Sequence, residues 1–309
     1  MNIVLLHNTN AGDQKLSRED LAILLRQAGY EPRTTTLKEA GANPELLLDG
    51  EFVAVAGGDG SMRKAALLLV GTSQSMAPIP LGTANNIARS LGIRGEPHEV
   101  IAGWARGRKK KIDMGSARGP WGRHLFLEGV GIGLIGRAIT IIEGIDAADP
   151  RGFKTSGDKL RRDLSVLVAL AHDLPAVPLK LAVDGRDASG DFIVLEIMNI
   201  GRAGPAVKIA NHTDMSDGFL DLVVARSGDR QMLLKNLHGC LGDPDHKAVL
   251  SSHKVRHLKL TIQGGEFRLD DAVILKRDDV VNEGSEIEIE VVPNALNVLL
   301  PETIAPEET

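Results

Sequence analysis

The sequence has one cysteine, Cys240, so the chain can form no internal disulfide bond. It also has no pair of cysteines at the spacing used by zinc or thiol redox motifs. Aromatic residues make up only 3% of the chain, which argues against the base-stacking surfaces of single-strand nucleic acid binders. The single cysteine favours a protein that works in the reducing cytoplasm.

Positive charge is not in excess, because the net charge is −5 and the isoelectric point is about 6.0. No global basic field therefore attracts nucleic acid, and we expect no nucleic acid partner. No apolar run approaches the roughly 20 residues that a membrane helix needs. The opening stretch MNIVLLHNTN lacks the basic start and cleavage site of a signal peptide. We expect a cytoplasmic protein whose membrane contact is limited to the inner surface.

The 309 residues are enough for two domains. In the first third, short apolar segments such as NIVLLH and FVAVA alternate with helical patterns. This alternation predicts an α/β domain with a parallel sheet covered on both faces. After about residue 113, longer β segments separated by turns predict a β-rich second domain, antiparallel and sandwich-like. Ligands of parallel sheets bind at the carboxyl ends of the strands.

A glycine-rich segment follows the predicted strand FVAVA; we call residues 57–61 loop 1. It lacks the Gly-Lys-Ser/Thr of a Walker A motif. Backbone amides beside a helix N-terminus can form an anion site. Asp59 would repel a bare phosphate, so a magnesium ion or a substrate hydroxyl would have to mediate. The alternative is a tight turn with a capping acid.

A second turn-rich segment, PLGTANN, precedes the next helix; we call residues 80–86 loop 2. Gly82, Thr83 and Asn85 offer small hydrogen-bonding groups that suit phosphate oxygens or a ribose. Both loops follow adjacent predicted strands of a parallel sheet. We therefore expect them to face one nucleotide.

Loop 1 (GGDGS) and the segment PLGTANNIARSLGI, in this order and spacing, resemble the diacylglycerol kinase catalytic-domain superfamily, specifically its soluble bacterial lipid kinases and their sphingosine kinase relatives. KIDMG, MSDGFLDLVV and IEVVPNALNVLLP extend the resemblance over nearly the whole chain. The resemblance implies an ATP-dependent kinase that transfers the γ-phosphate to a lipid hydroxyl, such as that of diacylglycerol, with Mg²⁺. It implies a nucleotide domain at 1–113, a lipid-substrate domain at 114–295 and a segment at 296–309 that returns to the first domain.

The resemblance also implies particular site residues. Asp59 and Asp113 would organise magnesium and the phosphates, and Asp217 with the carbonyl of Phe219 would hold a structural magnesium ion. The implied ATP contacts are Asn8, Thr36, Gly57, Gly58, Asp59, Gly60, Ser61, Met62, Arg63, Lys64, Gly82, Thr83 and Asn85.

The chain departs from the family pattern at several positions. Thr9 stands in place of a proline, Arg63-Lys64 in place of Asn-Glu, and Asn86 in place of an acid in loop 2. Ala272 aligns with the glutamate that serves relatives as the base for the lipid hydroxyl. A base must lie within about 3 Å of that hydroxyl. Asp270 or Asp271 would have to substitute, and we name Asp271 as the base.

Three alternative functions stay open. A kinase of a soluble acceptor, NAD kinase above all, would share loop 1. A degenerate relative would bind nucleotide or lipid without transferring phosphate. A nicotinamide-dependent oxidoreductase would use Gly131-x-Gly133-x-x-Gly136, but no second strand ending in an acid follows at the required distance.

The remaining expectations concern partners. The run RGRKKK at residues 106–111 is expected to be either a solvated helix end or a site of attraction to anionic lipid. We expect a lipid substrate at a membrane surface as the partner. The sequence leaves homodimer formation through sheet edges open.

Overall fold

The computed structural model describes residues 1–7, 16–148, 155–204, 207–243, 246–276 and 284–302. The chain divides into two compact units. Unit 1 contains Met1–Ile112 and Asn294–Thr309, and unit 2 contains Asp113–Pro293. The predicted boundaries after residues 113 and 295 lie one and two residues from these divisions.

Unit 1 alternates strands with helices, as the apolar pattern predicts. Its strands are β1 (Asn2–His7), β2 (Glu31–Thr35), β3 (Val53–Gly57) and β4 (Ser75–Pro80). Its helices are α1 (Arg18–Gln27), α2 (Leu37–Ala42), α3 (Asp59–Leu69), α4 (Asn86–Ser90) and α5 (Pro97–Gly103). Two 3₁₀ turns follow α2 and α5, at Pro44–Leu47 and Trp104–Arg106.

The sheet of unit 1 is parallel. β1 lies between β2 and β3, and β3 pairs with β4. Asn297 and Val298 add a further parallel strand beside β4. Strand β3 is buried along its whole length, which explains its continuous apolar sequence. The strands therefore bring loops 1 and 2 to the same edge of the sheet.

Unit 2 is rich in strands. They begin with β5 (Arg108–Gly119, which starts in unit 1), β6 (Gly122–Phe126), β7 (Gly129–Gly133), β8 (Val177–Val183), β9 (Arg186–Asp187), β10 (Gly190–Phe192), β11 (Val194–Met198), β12 (Arg202–Ala203) and β13 (Val207–Lys208). They continue with β14 (Leu220–Ala225), β15 (Ser252–Val255), β16 (His257–Ile262), β17 (Phe267–Leu269), β18 (Ala272–Leu275) and β19 (Ser285–Leu300, which ends in unit 1). Its helices are α6 (Leu134–Ala148), α7 (Ser156–Asp173) and α8 (Arg230–Gly242), the last preceded by a 3₁₀ turn at Ser227–Asp229.

Two antiparallel sheets form the body of unit 2. One has the order β15-β14-β11-β7-β17-β18, and the other includes β10-β8-β16-β19. Their apolar side chains share one core, in which Ile132 and Leu195 come from the first sheet and Leu181 and Leu260 from the second. The predicted fold class, a parallel α/β domain followed by an antiparallel sandwich-like domain, is confirmed.

The basic run at residues 106–111 spans the end of a helical turn and the start of a strand. Arg106 is exposed and ends the 3₁₀ turn at Trp104–Arg106, as expected for a solvated helix end. Residues 108–111 instead begin strand β5, where three of their four charged side chains are exposed. Within the described ranges, no helix is long and apolar enough to cross a membrane.

Candidate functional site

Loop 1 connects the end of β3 to the start of α3. Gly58 is the N-cap residue of α3, and the N–H groups of Ser61 and Met62 donate to its carbonyl oxygen at 3.0 and 3.1 Å. The Met62 side chain is fully buried, so only its backbone belongs to the loop surface. Loop 1 thus places a helix N-terminus at the carboxyl end of a parallel strand, which is a favourable position for an anion.

Loop 2 is held by the side chain of Asn85. This residue has a left-handed backbone with φ of 49°, a conformation that asparagine tolerates better than most residues. Its Nδ2 donates to the carbonyl of Gly82 at 2.7 Å, and its Oδ1 accepts the N–H of Gly82 at 2.9 Å. Thr83 lies exposed between them. The Asn85 amide therefore fixes the shape of loop 2.

Asp59 joins the two loops. Its carboxylate accepts the N–H groups of Asn86 and Ile87, each at 2.9 Å. These are the first amides of α4, which have no partner within their own helix. The geometry makes Asp59 a cap for α4, and loop 2 is positioned by this carboxylate from loop 1.

The glycines let the loops touch each other. A Cβ atom added to Gly82 would lie 2.6 Å from the Cα of Gly58, closer than any real contact. The N–H of Leu81 also donates to the carbonyl of Gly57 at 3.0 Å. Glycine is required at position 82 because backbone meets backbone there.

Two cationic residues follow loop 1 in the sequence. Arg63 is half-buried and Lys64 is exposed, both near the start of α3. Together with the helix N-termini they favour negative charge, and phosphate is the anion that such loops suit.

Two other predicted nucleotide contacts are Thr36 and Asn8. The hydroxyl of Thr36 accepts the Glu39 N–H at 3.2 Å and donates to the Glu39 carboxylate at 2.9 Å. This arrangement is a capping box at the start of α2. The predicted contact Asn8 lies outside the described residues.

In unit 2, the structure brings Asp113 to the turn that contains Asp217. Asp113 is buried, and its Oδ2 accepts the N–H of Gly218 at 2.7 Å. The Nδ2 of Asn199 donates to the carbonyl of Asp113 at 2.9 Å and to that of Leu127 at 3.0 Å. Asn199, which sequence reasoning missed, therefore anchors the backbone at Asp113.

The turn that carries Asp217 has an unpredicted partner, Lys254. The Nζ of Lys254 lies 2.8 Å from Asp217 Oδ2 and 2.9 Å from Asp221 Oδ2. The N–H of Phe219 donates to Asp217 Oδ1 at 3.0 Å. The carboxylate predicted to hold a metal ion thus contacts an ammonium group and a backbone amide.

Asp270 and Asp271 form the two-residue turn between β17 and β18, and their side chains differ in surroundings. The buried Asp270 carboxylate accepts the N–H groups of Leu127, Glu128 and Gly129, at 3.3, 2.8 and 3.2 Å. Asp271 is exposed. The carboxylate of Asp270 is therefore a structural acceptor, and Asp271 is the one of the two that faces solvent.

The glycines of the pattern Gly131-x-Gly133-x-x-Gly136 are explained by packing. A Cβ atom on Gly131 would lie 2.2 Å from the Glu196 carboxyl carbon, and one on Gly133 would lie 2.2 Å from the Ile193 carbonyl oxygen. Strand β7 pairs antiparallel with β11 and β17. A dinucleotide-binding unit needs parallel strands at this place, so the oxidoreductase interpretation is wrong.

Gly131 makes room for a buried ion pair that the sequence did not reveal. Arg268 Nε donates to Glu196 Oε1 at 3.2 Å, and its Nη2 contacts Glu196 Oε2. Burial alone would lower the pKa of Arg268, but the Glu196 carboxylate outweighs it and raises that pKa. Arg268 also donates to the carbonyl of Asp270 at 2.7 Å. The pair thus fixes the strands beside the Asp270 turn.

A groove of about 840 Å³ lies on the outer face of the β8–β16–β19 sheet. Charged side chains such as Lys180, Lys259, Glu286 and Glu288 line it. Lys259 and Glu288 face each other across the strands with a 3.4 Å ion pair. Leu181, Leu260 and Ile287 also contribute to its lining, so charged and apolar residues are mixed there.

Comparison with known proteins identifies both parts of the chain. The model of the "Diacylglycerol kinase catalytic domain" matches residues 2–117, and that of the "YegS C-terminal NAD kinase beta sandwich-like domain" matches residues 141–300. A "Probable lipid kinase YegS-like" of Pseudomonas aeruginosa PAO1 is 28% identical over 97% of this chain and 94% of its own. The "Diacylglycerol kinase" of Mycobacterium tuberculosis H37Rv is 27% identical over 60% of this chain, a match that spans 58% of that relative's length.

A solved structure, that of a diacylglycerol kinase from Bacillus anthracis Sterne, has the same fold, with a TM-score of 0.67, 17% identity and 98% coverage of both chains. The two matched models account for the parallel α/β part and the antiparallel sandwich in chain order. This chain belongs to the diacylglycerol kinase catalytic-domain family, with the C-terminal domain of YegS-like lipid kinases.

Proposed function

We propose that the chain is an ATP-dependent lipid kinase that transfers the γ-phosphate to a lipid hydroxyl, such as that of diacylglycerol. The observation that carries the proposal is the junction of loops 1 and 2, which Asp59 holds together at the carboxyl ends of adjacent parallel strands. ATP would bind there as its magnesium complex, with backbone amides and Arg63 or Lys64 facing the phosphates.

Roles for the predicted catalytic residues follow from their surroundings. Asp59 is a positioning residue, because its carboxylate caps α4. Asp113 anchors the Gly218 turn through its carboxylate. Asp271 is proposed as the base that accepts the proton of the lipid hydroxyl while the oxygen attacks the γ-phosphorus and ADP leaves.

The experiment is transfer of γ-labelled phosphate from ATP, with magnesium, into a chloroform extract of mixed bacterial lipids. Wild type is compared with Asp59→Ala, Asp271→Ala and, as a control acid exposed on β10, Asp191→Ala. We expect a labelled lipid with wild type and Asp191→Ala, and loss of about a hundredfold or more with Asp271→Ala. Full activity of Asp271→Ala would remove Asp271 as the base.

A second candidate is a kinase of a soluble acceptor, because the matched C-terminal model is described as NAD kinase-like. NAD is therefore offered as an acceptor in the aqueous phase of the same assay. Label in NAD and none in lipid would favour this candidate. ATP binding without label in either acceptor would favour a degenerate binding protein.

A further inference from the structure

The turn at residues 214–219 leads into β14 and carries Asp217, the predicted ligand of a structural magnesium ion. Asp217 Oδ1 accepts the Phe219 N–H at 3.0 Å, as in an Asx turn. The N–H of Gly218, in the same turn, donates to the carboxylate of Asp113. The shape of the turn is therefore defined by hydrogen bonds within unit 2.

A lysine ammonium lies where the cation is expected. Lys254 Nζ is 2.8 Å from Asp217 Oδ2 and 2.9 Å from Asp221 Oδ2. The Asp221 side chain is only 4% exposed, so this carboxylate needs a partner. One ammonium group thus bridges two carboxylates.

The pairing register of β14 and β15 places Lys254 beside the turn. β15 pairs antiparallel with β14, and Lys254 stands directly opposite Asp221. Two residues later, the Arg256 guanidinium lies 4.2 Å from the centre of the Phe219 ring. The end of β15 therefore supplies two cations to the turn, one to its acid and one to its aromatic residue.

The surroundings of Lys254 are those of an ammonium group, because its Nζ lies within hydrogen-bond distance of both carboxylates. An ammonium held between two carboxylates repels a second cation placed at the same oxygen.

Magnesium does not fit this donor set. It requires nearly octahedral oxygen coordination at about 2.0–2.1 Å. Of the two Asp217 oxygens, one accepts a backbone amide and the other contacts an ammonium group. Across the described part of the chain, no three Asp, Glu, His or Cys side chains are grouped so that they could hold a metal ion.

We infer that Lys254 takes the place of a divalent cation at the Asp217 turn, so that the folded chain needs no metal ion there. This inference is independent of the proposed kinase activity, because it concerns only the folding of unit 2. It concerns the Asp217 turn alone and says nothing about a magnesium ion that binds together with ATP.

The test uses the full chain without nucleotide, in wild type and in Lys254→Ala. Lys259→Ala is the matched control, because Lys259 lies on β16, the next strand along the chain, and its side chain is 66% exposed. Metal content is measured by mass spectrometry after gel filtration in metal-free buffer. The midpoint of thermal unfolding is measured with EDTA and with MgCl₂.

We expect wild type to retain no stoichiometric metal and to unfold at the same temperature in EDTA and MgCl₂. Lys254→Ala is expected to lower the midpoint by roughly 5 °C in EDTA, and MgCl₂ is expected to recover part of this loss. Lys259→Ala is expected to change it by about 1 °C or less.

A stoichiometric divalent ion in purified wild type, or a lower wild-type midpoint in EDTA, would overturn the inference. So would a Lys254→Ala midpoint equal to that of Lys259→Ala, or one that MgCl₂ leaves unchanged. If Lys254→Ala does not fold, the wild-type metal content and EDTA response still decide the question.

Discussion

Glycines are concentrated in two segments, loops 1 and 2 of unit 1 and strand β7 of unit 2, and the two segments use them differently. Gly58 and Gly82 let two loops touch at the ends of parallel strands. Gly129 and Gly131 leave room for the side chains of Met198 and Glu196 inside an antiparallel sheet. A glycine pattern therefore indicates a close approach, and the strand pairing decides whether the glycine meets the backbone of another loop or a side chain within the sheet.

The acids beside these segments differ in the same way. Asp59 and Asp270 both use their carboxylates to accept backbone N–H groups. The amides held by Asp59 begin helix α4 beside the carboxyl ends of parallel strands. The amides held by Asp270 lie in a buried segment that leads into β7. One acid therefore joins two loops at a sheet edge, where we propose that the nucleotide binds, and the other organises a core.

The largest effect is expected from Gly131→Ala. The added Cβ would collide with the carboxylate of Glu196, which is fully buried and paired with Arg268. Disrupting a buried ion pair typically costs about 3–5 kcal/mol of unfolding free energy. Urea unfolding monitored by circular dichroism measures this loss, and a change below about 1 kcal/mol would contradict the packing role of Gly131.

The next largest loss of unfolding free energy is expected at Asp270, in the turn between β17 and β18. Asp270→Ala removes the acceptor of three backbone amides and is expected to cost about 2–3 kcal/mol. Asp270→Asn should cost less, because the amide oxygen still accepts and asparagine tolerates the positive φ of 53°. The exposed Asp271→Ala should leave urea unfolding unchanged. Equal costs for Asp270→Ala and Asp271→Ala would show that the two acids are equivalent.

Substitutions of Asp59 distinguish two roles of its carboxylate, positioning of loop 2 and direct contact with a metal ion. Asp59→Ala should cost about 1–2 kcal/mol through the lost cap of α4 and weaken ATP binding about tenfold. Asp59→Asn keeps one acceptor oxygen and should retain an intermediate ATP affinity. Calorimetric titration of both variants measures this. An Asn variant as weak as the Ala variant, with normal stability, would indicate that the charge of Asp59 contacts the metal of MgATP instead.

The smallest effect is expected from Gly58→Ala. Its Cβ would lie 3.2 Å from the Cα of Gly82, so the loops must separate by a few tenths of an ångström. We expect a loss of about 1 kcal/mol and a few-fold weaker ATP binding. Gly41→Ala, a helix position with nothing within 4 Å, is the control and should be neutral or slightly stabilising. Identical behaviour of the two variants in both measurements would exclude the loop contact.

Much of the fold could be predicted because apolar alternation follows the strand and helix periods directly. The fully buried β3 and the glycines after it are local signals. The role of Asp59 could not be predicted, because its partners lie 27 and 28 residues further along the chain. Lys254 resembles any charged residue in a half-exposed strand until the register places it opposite Asp221. Asp270 and Asp271 are neighbours of the same type, and only the turn geometry separates them.

The most direct test of the central claim is a titration of MgATP into wild type, Asp59→Ala and Asp270→Ala, at a temperature where all three are folded by circular dichroism. The account predicts that wild type and Asp270→Ala bind with dissociation constants within about threefold, and that Asp59→Ala binds about tenfold more weakly. Unchanged binding by Asp59→Ala, or selective loss of binding by Asp270→Ala, would contradict the assignment of the nucleotide to loops 1 and 2.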